Sequence, residues 1–428
     1  MAHLTMRRAS QHCAFPTAVT DRSSATWIIV PMNDLASAGV PGRPLCDAPA
    51  VRAALRAAAP ALAAFAAIRL LGLVVLAVWS TVNGKDWHTL LTARWDAVWY
   101  TRVAEQGYGY TVQLPNGDVH SNLAFFPLLP WLERALSALS PLSPADAGMV
   151  VAWLTSLAAA WALYATGERL HGPRAGIALA ALWAALPVGI VQSMAYSESL
   201  FTALAAWGVY AVLTGRWMWA GVLASLAGLT RPVGAAVVAA VWLTAAAALW
   251  RQRADGVRLR AALRAQPGML PGVLLAPLGW CGFFLWVGAR QGSFTGYLDV
   301  QGGWGNGFDG GIAFAAFIWH QLSGPTFAAG LGLLVGVALV IWLYLHGVRQ
   351  GQPLPLAVYG GTVLLLALTA KGYFGSKPRL MLPAYPLLLP PAVALARARP
   401  VRALLVIGLV TAGSAAYGAF WLNGSGPP

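Results

Sequence analysis

Asp96 sits between Trp95 and the pair Trp99-Tyr100, in the run Arg94-Trp95-Asp96-Ala97-Val98-Trp99-Tyr100 that follows the first long apolar segment. Drawing a charge into apolar surroundings costs several kcal/mol, so a carboxylate set among aromatic rings at a membrane boundary is a candidate catalytic base. An interfacial aromatic belt with a solvated Asp accounts for the same pattern, because Trp and Tyr collect at headgroup depth. The stretch continues through Ala104-Glu105-Gln106-Gly107-Tyr108 and closes at Ala124-Phe125-Phe126-Pro127-Leu128-Leu129-Pro130.

Three further places concentrate charge in apolar sequence. Glu198, in Tyr196-Ser197-Glu198-Ser199, occupies a short turn at the start of an apolar run, where a carboxylate also favours the helix dipole. Thr230-Arg231-Pro232 interrupts an apolar run bounded by Arg216 and Arg251. A helix over 217–230 would be about 21 Å long, short of a full crossing, which leaves Arg231 at depth. A cation at depth binds an anion or snorkels to the surface. Lys371, Lys377 and Arg379 gather in one outer segment against the orientation rule, and a bound phosphate or lipid headgroups would account for them. The segment Gly302-Gly303-Trp304-Gly305-Asn306-Gly307 has no strand before it and no Walker lysine, so it reads as a mobile loop rather than a nucleotide site. Cys13, Cys46 and Cys281 lie far apart without metal-ligand spacing, so neither a zinc site nor a disulfide framework is inferred, and the chemistry above calls for no cofactor.

The elements that must carry these residues follow from composition. Of 428 residues 58% are hydrophobic and 10% charged, against roughly 45–50% and 25% in soluble domains. The chain is expected to be an all-α, polytopic transmembrane helix bundle. Its formal charge of +14 comes from Arg residues in short loops between apolar runs, which argues for orientation in a bilayer and against nucleic acid. About eleven spans are expected, near 60–82, 148–167, 174–191, 197–214, 217–230, 232–250, 269–289, 325–346, 354–370, 379–396 and 401–421. An N-terminus inside puts most Arg residues in the cytoplasm and most acids, Asp96 and Glu198 included, outside. The outer loop 83–147 is too aromatic for disorder and is expected to hold two amphipathic interfacial helices, over 94–107 with its aromatic side in lipid and from Phe126 to about Leu139. Residues 1–55 read as a disordered cytoplasmic tail and 56–424 as the membrane domain. No apolar core for a cleavable signal peptide follows Met1, and Met32 is a second candidate start. The scarcity of Lys beside abundant Ala, Gly and Arg suggests a GC-rich bacterial genome.

In order, Arg94-Trp95-Asp96 with Trp99-Tyr100 and Gly107-Tyr108, Phe125 to Pro130, Tyr196-Ser197-Glu198-Ser199-Leu200-Phe201, Thr230-Arg231 and Pro378-Arg379-Leu380 with Pro383 run from about residue 60 to 400. With them the chain resembles the PIG-V-type family, the GPI mannosyltransferase II proteins and their bacterial relatives, within the GT-C membrane glycosyltransferases. The long tail and modest loops depart from that family. The resemblance implies a polyprenyl-phosphate-linked mannose donor and inverting transfer on the extracytoplasmic face, in a scheme that requires no metal. A bacterium lacks GPI anchors, so the family's acceptor is not carried over, and a lipid or glycan acceptor is expected. The resemblance makes Asp96 the base for the incoming hydroxyl and Arg231, Arg379 and Lys377 the partners of the donor phosphate. Arg94, Trp95, Trp99, Tyr100, Tyr108, Phe126, Pro127 and Glu198 would support the sugar or the loop. A transporter or lipid flippase using Asp96, Glu198 and Arg231 as a relay is the alternative from another class, though no internal repeat is found.

The orientation is testable directly. In a chain whose native cysteines are replaced, a cysteine introduced at Asn116 or Ser121 should react with a membrane-impermeant thiol reagent in intact cells. Labelling only after lysis would put the loop of Asp96 in the cytoplasm.

Overall fold

The structure, a computed structural model, describes residues 48–426. The expected tail over 1–47 lies outside them, and the first helix already begins at Ala48, within the stretch assigned to that tail. The first half of the chain forms α1 (Ala48–Val82), α2 (Trp87–Thr92), α3 (Asp96–Gln106), the strands β1 (Thr111–Gln113) and β2 (Val119–Ser121), α4 (Leu128–Leu139), α5 (Pro144–His171) and α6 (Pro173–Ala184). The second half continues with α7 (Glu198–Leu213), α8 (Trp217–Gly228), α9 (Ala235–Ala254), α10 (Leu259–Ala265), α11 (Met269–Leu275), α12 (Leu278–Gln291), α13 (Gly296–Gly303), β3 (Gly307–Phe308), α14 (Ile312–Ser323) and α15 (Phe327–Arg349). It closes with α16 (Leu354–Thr369), β4 (Ala370–Lys371), α17 (Lys377–Leu380), α18 (Leu389–Arg397) and α19 (Pro400–Asn423). The protein is an all-α, polytopic membrane helix bundle carrying two small antiparallel strand pairs, β1 with β2 and β3 with β4.

Six helices among the described residues are long and apolar enough to cross a bilayer: Val51–Val82, Pro144–His171, Pro232–Ala254, Met269–Gln291, Phe327–Arg349 and Pro400–Asn423. The remaining spans expected from hydropathy are shorter or broken. Around 174–191 the helix α6 stops at Ala184, because Pro187 has no N–H and disfavours helical geometry at Leu186, and the chain turns into a 3-10 segment over Gly189–Ser193. The segment near 379–396 is bent by 72° between Phe374–Leu380 and Tyr385–Arg397. Apolar helices of less than spanning length, α7, α8 and α16, complete the interior.

Local sequence explains the best-formed element. Ser143 caps α5 by accepting from the Asp146 N–H, Pro144 begins it, Asp146 lies in its first turn, Arg169 and His171 in its last, and Gly172 at φ 88° stops it. The core is built largely from Ala and Gly, so backbones approach closely. A Cβ on Gly221 of α8 would stand 2.2 Å from the Gly272 carbonyl oxygen of α11, leaving room for glycine alone.

Four long-range hydrogen bonds gather the charged segments at one end of the bundle. The Leu128 N–H donates to Leu229 O at 3.0 Å, tying the loop over 83–147 to the turn before Arg231. The Ala195 N–H donates to Leu91 O, the Trp183 indole to Leu382 O and the Tyr359 hydroxyl to Pro383 O, each at 3.0 Å.

The loop over 83–147 folds differently from a pair of helices lying in lipid. Helix α3 turns its aromatic side into the protein, where Tyr100 packs with Phe125, Leu129, Val151 and Leu200. Trp99 is stacked on Phe125 at 5.7 Å and meets Trp304 edge-on at 4.8 Å. The segment expected to be a mobile loop is held in place. Gly302 and Gly303 end α13, Gly307 pairs with Lys371, and the Trp304 indole donates to Ser121 O. Ser121 is therefore buried, and exposed Asn116 in the β1–β2 turn is the better of the two labelling positions.

Candidate active site

Asp96 begins α3, and the residue before it is the single non-glycine with positive φ among the described residues, Trp95 at φ 51°. Backbone held in such a region costs about 1–3 kcal/mol and persists only where neighbours impose it. Arg94 supplies that constraint. Its Nη1 donates to Leu422 O at 2.9 Å and Nη2 to Gly424 O at 3.2 Å, beyond the last turn of α19, while its guanidinium stacks on the Trp95 ring at 4.0 Å. Lys85 Nζ donates to Asn423 O at the same helix end.

Held this way, the Asp96 carboxylate meets Arg379, with Oδ2 2.8 Å from Nη1. Arg379 Nε lies 3.3 Å from Glu198 Oε1, and the same oxygen lies 2.7 Å from Arg231 Nη1. Arg231 Nη1 also donates to Ser197 Oγ at 3.0 Å, and that hydroxyl shares a 2.7 Å hydrogen bond with the Tyr100 hydroxyl. The Asp96 N–H donates to the Tyr196 hydroxyl at 3.3 Å, and the Arg379 guanidinium lies 5.2 Å from the centre of the Tyr196 ring. Two carboxylates and two guanidiniums from four separate segments thus form one cluster.

Exposure sorts the roles within it. The Glu198 side chain is 1% accessible, Arg379 9% and Arg231 11%, whereas Asp96 is 24% accessible and is the member that an incoming molecule can reach. The ion pairs are close but poorly aligned. Neither Glu198 oxygen is hydrogen-bonded, nor are Nε and Nη1 of Arg379, so strong donors and acceptors stand buried without directed partners. Burial pushes the Tyr100 hydroxyl above its ordinary range, against Arg231 and with Asp96 and Glu198 adding, and it does the same to Tyr196. Both phenols are therefore neutral hydrogen-bonding groups. Glu133 of α4 is buried nearby against Gly148, with neither oxygen hydrogen-bonded. Burial first and Glu105 second hold its carboxyl well above the usual range.

The structure brings together Asp96, Glu198, Arg231, Arg379 and Tyr100 and places the remaining candidates elsewhere. Lys377 does not join the cluster. Its ammonium donates to Ala367 O and Ala370 O, both at 2.6 Å, and lies over the Phe314 ring, closing the C-terminal end of α16. Tyr108 donates to Phe125 O at 2.7 Å, Phe126 packs on Phe283 and Tyr297, and Pro127 precedes α4, so these three shape the loop behind α3. Trp99 packs against Phe125 and Trp304, and Arg94 and Trp95 aim the turn that presents Asp96. Ser197, Tyr196 and Trp304 are members of the site or its wall that charge and hydropathy did not single out. For the first two the signal was adjacency to Glu198, and for Trp304 the glycines around it masked a fixed position.

No known protein-family model matches the chain, and no curated protein matches it. Among solved structures it is similar to ArnT from Cupriavidus metallidurans bound to undecaprenyl phosphate, at 15% identity and a TM-score of 0.49, over 80% of this chain and 63% of the other. The apo state of ArnT gives 17% and 0.47 over 82% and 64%. The archaeal oligosaccharyltransferase AglB from Archaeoglobus fulgidus, in complex with an inhibitory peptide and a dolichol-phosphate, gives 12% and 0.44 over 85% and 56%. The chain spans less than two thirds of the length of each of these proteins.

The cluster depends on Glu198 as the shared counter-charge. Glu198→Gln, which keeps the shape and removes the charge, should destabilise the protein by about 3 kcal/mol, as loss of one partner of a buried pair does. The check is the thermal unfolding midpoint of the purified chain in detergent. An unchanged midpoint would show that Arg231 and Arg379 do not need that carboxylate.

Proposed function

We propose that the cluster is the catalytic centre of a GT-C-type inverting glycosyltransferase of the PIG-V kind. It would move mannose from a polyprenyl-phosphate-linked donor to a hydroxyl of a lipid or glycolipid acceptor on the extracytoplasmic face. The observation that carries this reading is the convergence of Asp96, Glu198, Arg231 and Arg379 from four segments onto one partly open carboxylate backed by the buried Arg379 and the largely covered Arg231.

The chemistry divides among these groups. Asp96 accepts the proton of the acceptor hydroxyl as its oxygen bonds to the anomeric carbon. On the opposite face of the sugar the bond from that carbon to the phosphate oxygen breaks, and its electron pair leaves with the phosphate. A sugar phosphate departs without needing a proton, so what it requires is positive charge, and Arg231 and Arg379 supply that charge in a water-poor setting. Glu198 keeps the two guanidiniums side by side. Before the donor arrives Arg379 is paired with Asp96, so a phosphate that takes up Arg379 also releases the base to meet the acceptor. Lys377 contributes by fixing the backbone that carries Arg379, and the tyrosine and tryptophan side chains wall the site.

The test is transfer of labelled mannose from polyprenyl-phosphate mannose into membrane lipid extract by the full chain in proteoliposomes. Asp96→Asn should lower the initial rate by about 10²-fold or more, as loss of a general base does. Arg231→Ala and Arg379→Ala should lower turnover severely and the matching Lys variants moderately, because Lys lacks the planar fork. Near-normal turnover of Asp96→Asn would remove Asp96 from the chemistry. Unchanged turnover in both Ala variants would move the donor phosphate elsewhere, and no transfer by the native chain would exclude this donor.

A further inference from the structure

A cavity of about 540 Å³ lies where the end of α5, the start of α6 and the last turn of α18 meet, and His171, Arg174 and Arg397 line it. Helix α5 sets its position. Val151, near the start of that helix, packs with Tyr100 beside the Asp96 cluster, whereas the cavity begins at its final residue, His171. A helix of 28 residues is about 42 Å long at 1.5 Å per residue, longer than the roughly 30 Å of bilayer hydrocarbon. The cavity therefore opens at headgroup depth on the membrane face opposite Asp96.

Its electrostatics are one-sided. Two guanidiniums and an imidazole line it and no carboxylate does. Arg174 sits in the first turn of α6, where the helix dipole is already positive, and no side chain caps that helix. Like charges gathered this way repel one another unless an anion lies between them. Arg399 and Arg402 follow close by in sequence, at the start of α19. On the same helix Val401, Leu404 and Leu405 are 68%, 70% and 60% exposed, an apolar surface directly beside the charged mouth.

We propose that this cavity binds the phosphate headgroup of an anionic membrane lipid, with the acyl chains lying along the exposed apolar side of α19. The level of the cavity at the bilayer boundary and that adjoining apolar surface favour a lipid over a soluble anion. The site is separate from the proposed donor site, and nothing in the transfer chemistry requires it.

The experiment uses the purified full chain in neutral detergent. The probes are dioctanoyl phosphatidylglycerol, dioctanoyl phosphatidylcholine and glycerol 3-phosphate, and bound probe is measured by native mass spectrometry. Phosphatidylglycerol should bind, the other two should bind far more weakly, and the Arg174→Gln/Arg397→Gln pair should lower the phosphatidylglycerol affinity by about thirtyfold. Both side chains are exposed, so the unfolding midpoint without lipid should not change, and each single variant should show part of the loss. Arg216→Gln, at the junction of α7 and α8, should bind as the native chain does. Undiminished binding by the double variant would overturn the site. Equal binding of glycerol 3-phosphate would overturn the lipid and make this a site for soluble phosphates.

Discussion

Two guanidiniums and two carboxylates confined together in an apolar bundle set the terms for everything around them. Each charge alone would be costly at such depth, and mutual attraction compensates only while the partners stay within a few ångströms. Glu198 has almost no exposure and touches both Arg231 and Arg379, so a shift of any one segment would strand a buried ion. Hydrogen bonds join Arg231, Ser197 and Tyr100, whereas the Glu198 oxygens and the Nε and Nη1 atoms of Arg379 are held by ion pairing without well-aligned hydrogen bonds. That combination suits a site whose ionic partners exchange when a charged molecule enters, since a fully satisfied network would resist it.

The remaining architecture can be understood as the means of keeping four chain segments in register. The hydrogen bond from Leu128 to Leu229 joins the loop over 83–147 to the turn of Arg231, and that from Ala195 to Leu91 joins the same loop to the turn of Glu198. Those from Trp183 to Leu382 and from Tyr359 to Pro383 fix the bend beyond Arg379. Helices α7, α8 and α16 are shorter than a membrane crossing, which lets their ends and the turns beside them meet inside the bundle instead of at its surface. Close contacts such as Gly221 with Gly272 bring the backbones near enough for the short helices to pack.

Much of the site was legible because charge is scarce in this sequence and therefore conspicuous. Asp96, Glu198, Arg231 and Arg379 each interrupt apolar runs, and a residue that is costly to place must have a partner or a task. Lys377 was equally conspicuous, yet its partners are the carbonyls of Ala367 and Ala370 at the end of α16, a fact of three-dimensional packing that spacing does not encode. Trp304 was hidden for the opposite reason. Its glycine neighbours look like a flexible loop, and what fixes the indole is Ser121 O, 183 residues away in sequence. The helical bundle itself followed from composition. Hydropathy could not see that Pro187 halts one span at α6, or that α3 turns its aromatic side toward Phe125 and Leu129 instead of lipid.

The clamp on the turn of Asp96 also has a consequence in time. Arg94 donates to Leu422 O and Gly424 O, acceptors 328 and 330 residues further along the chain. At a synthesis rate of roughly 10 residues per second, these acceptors are made about half a minute after Arg94. Throughout that interval the strained turn at Trp95 lacks its anchor and can relax. Assembly of the charged cluster therefore finishes last, so an incomplete chain still within the translocation machinery would carry the loop over 83–147 without a formed turn at Trp95.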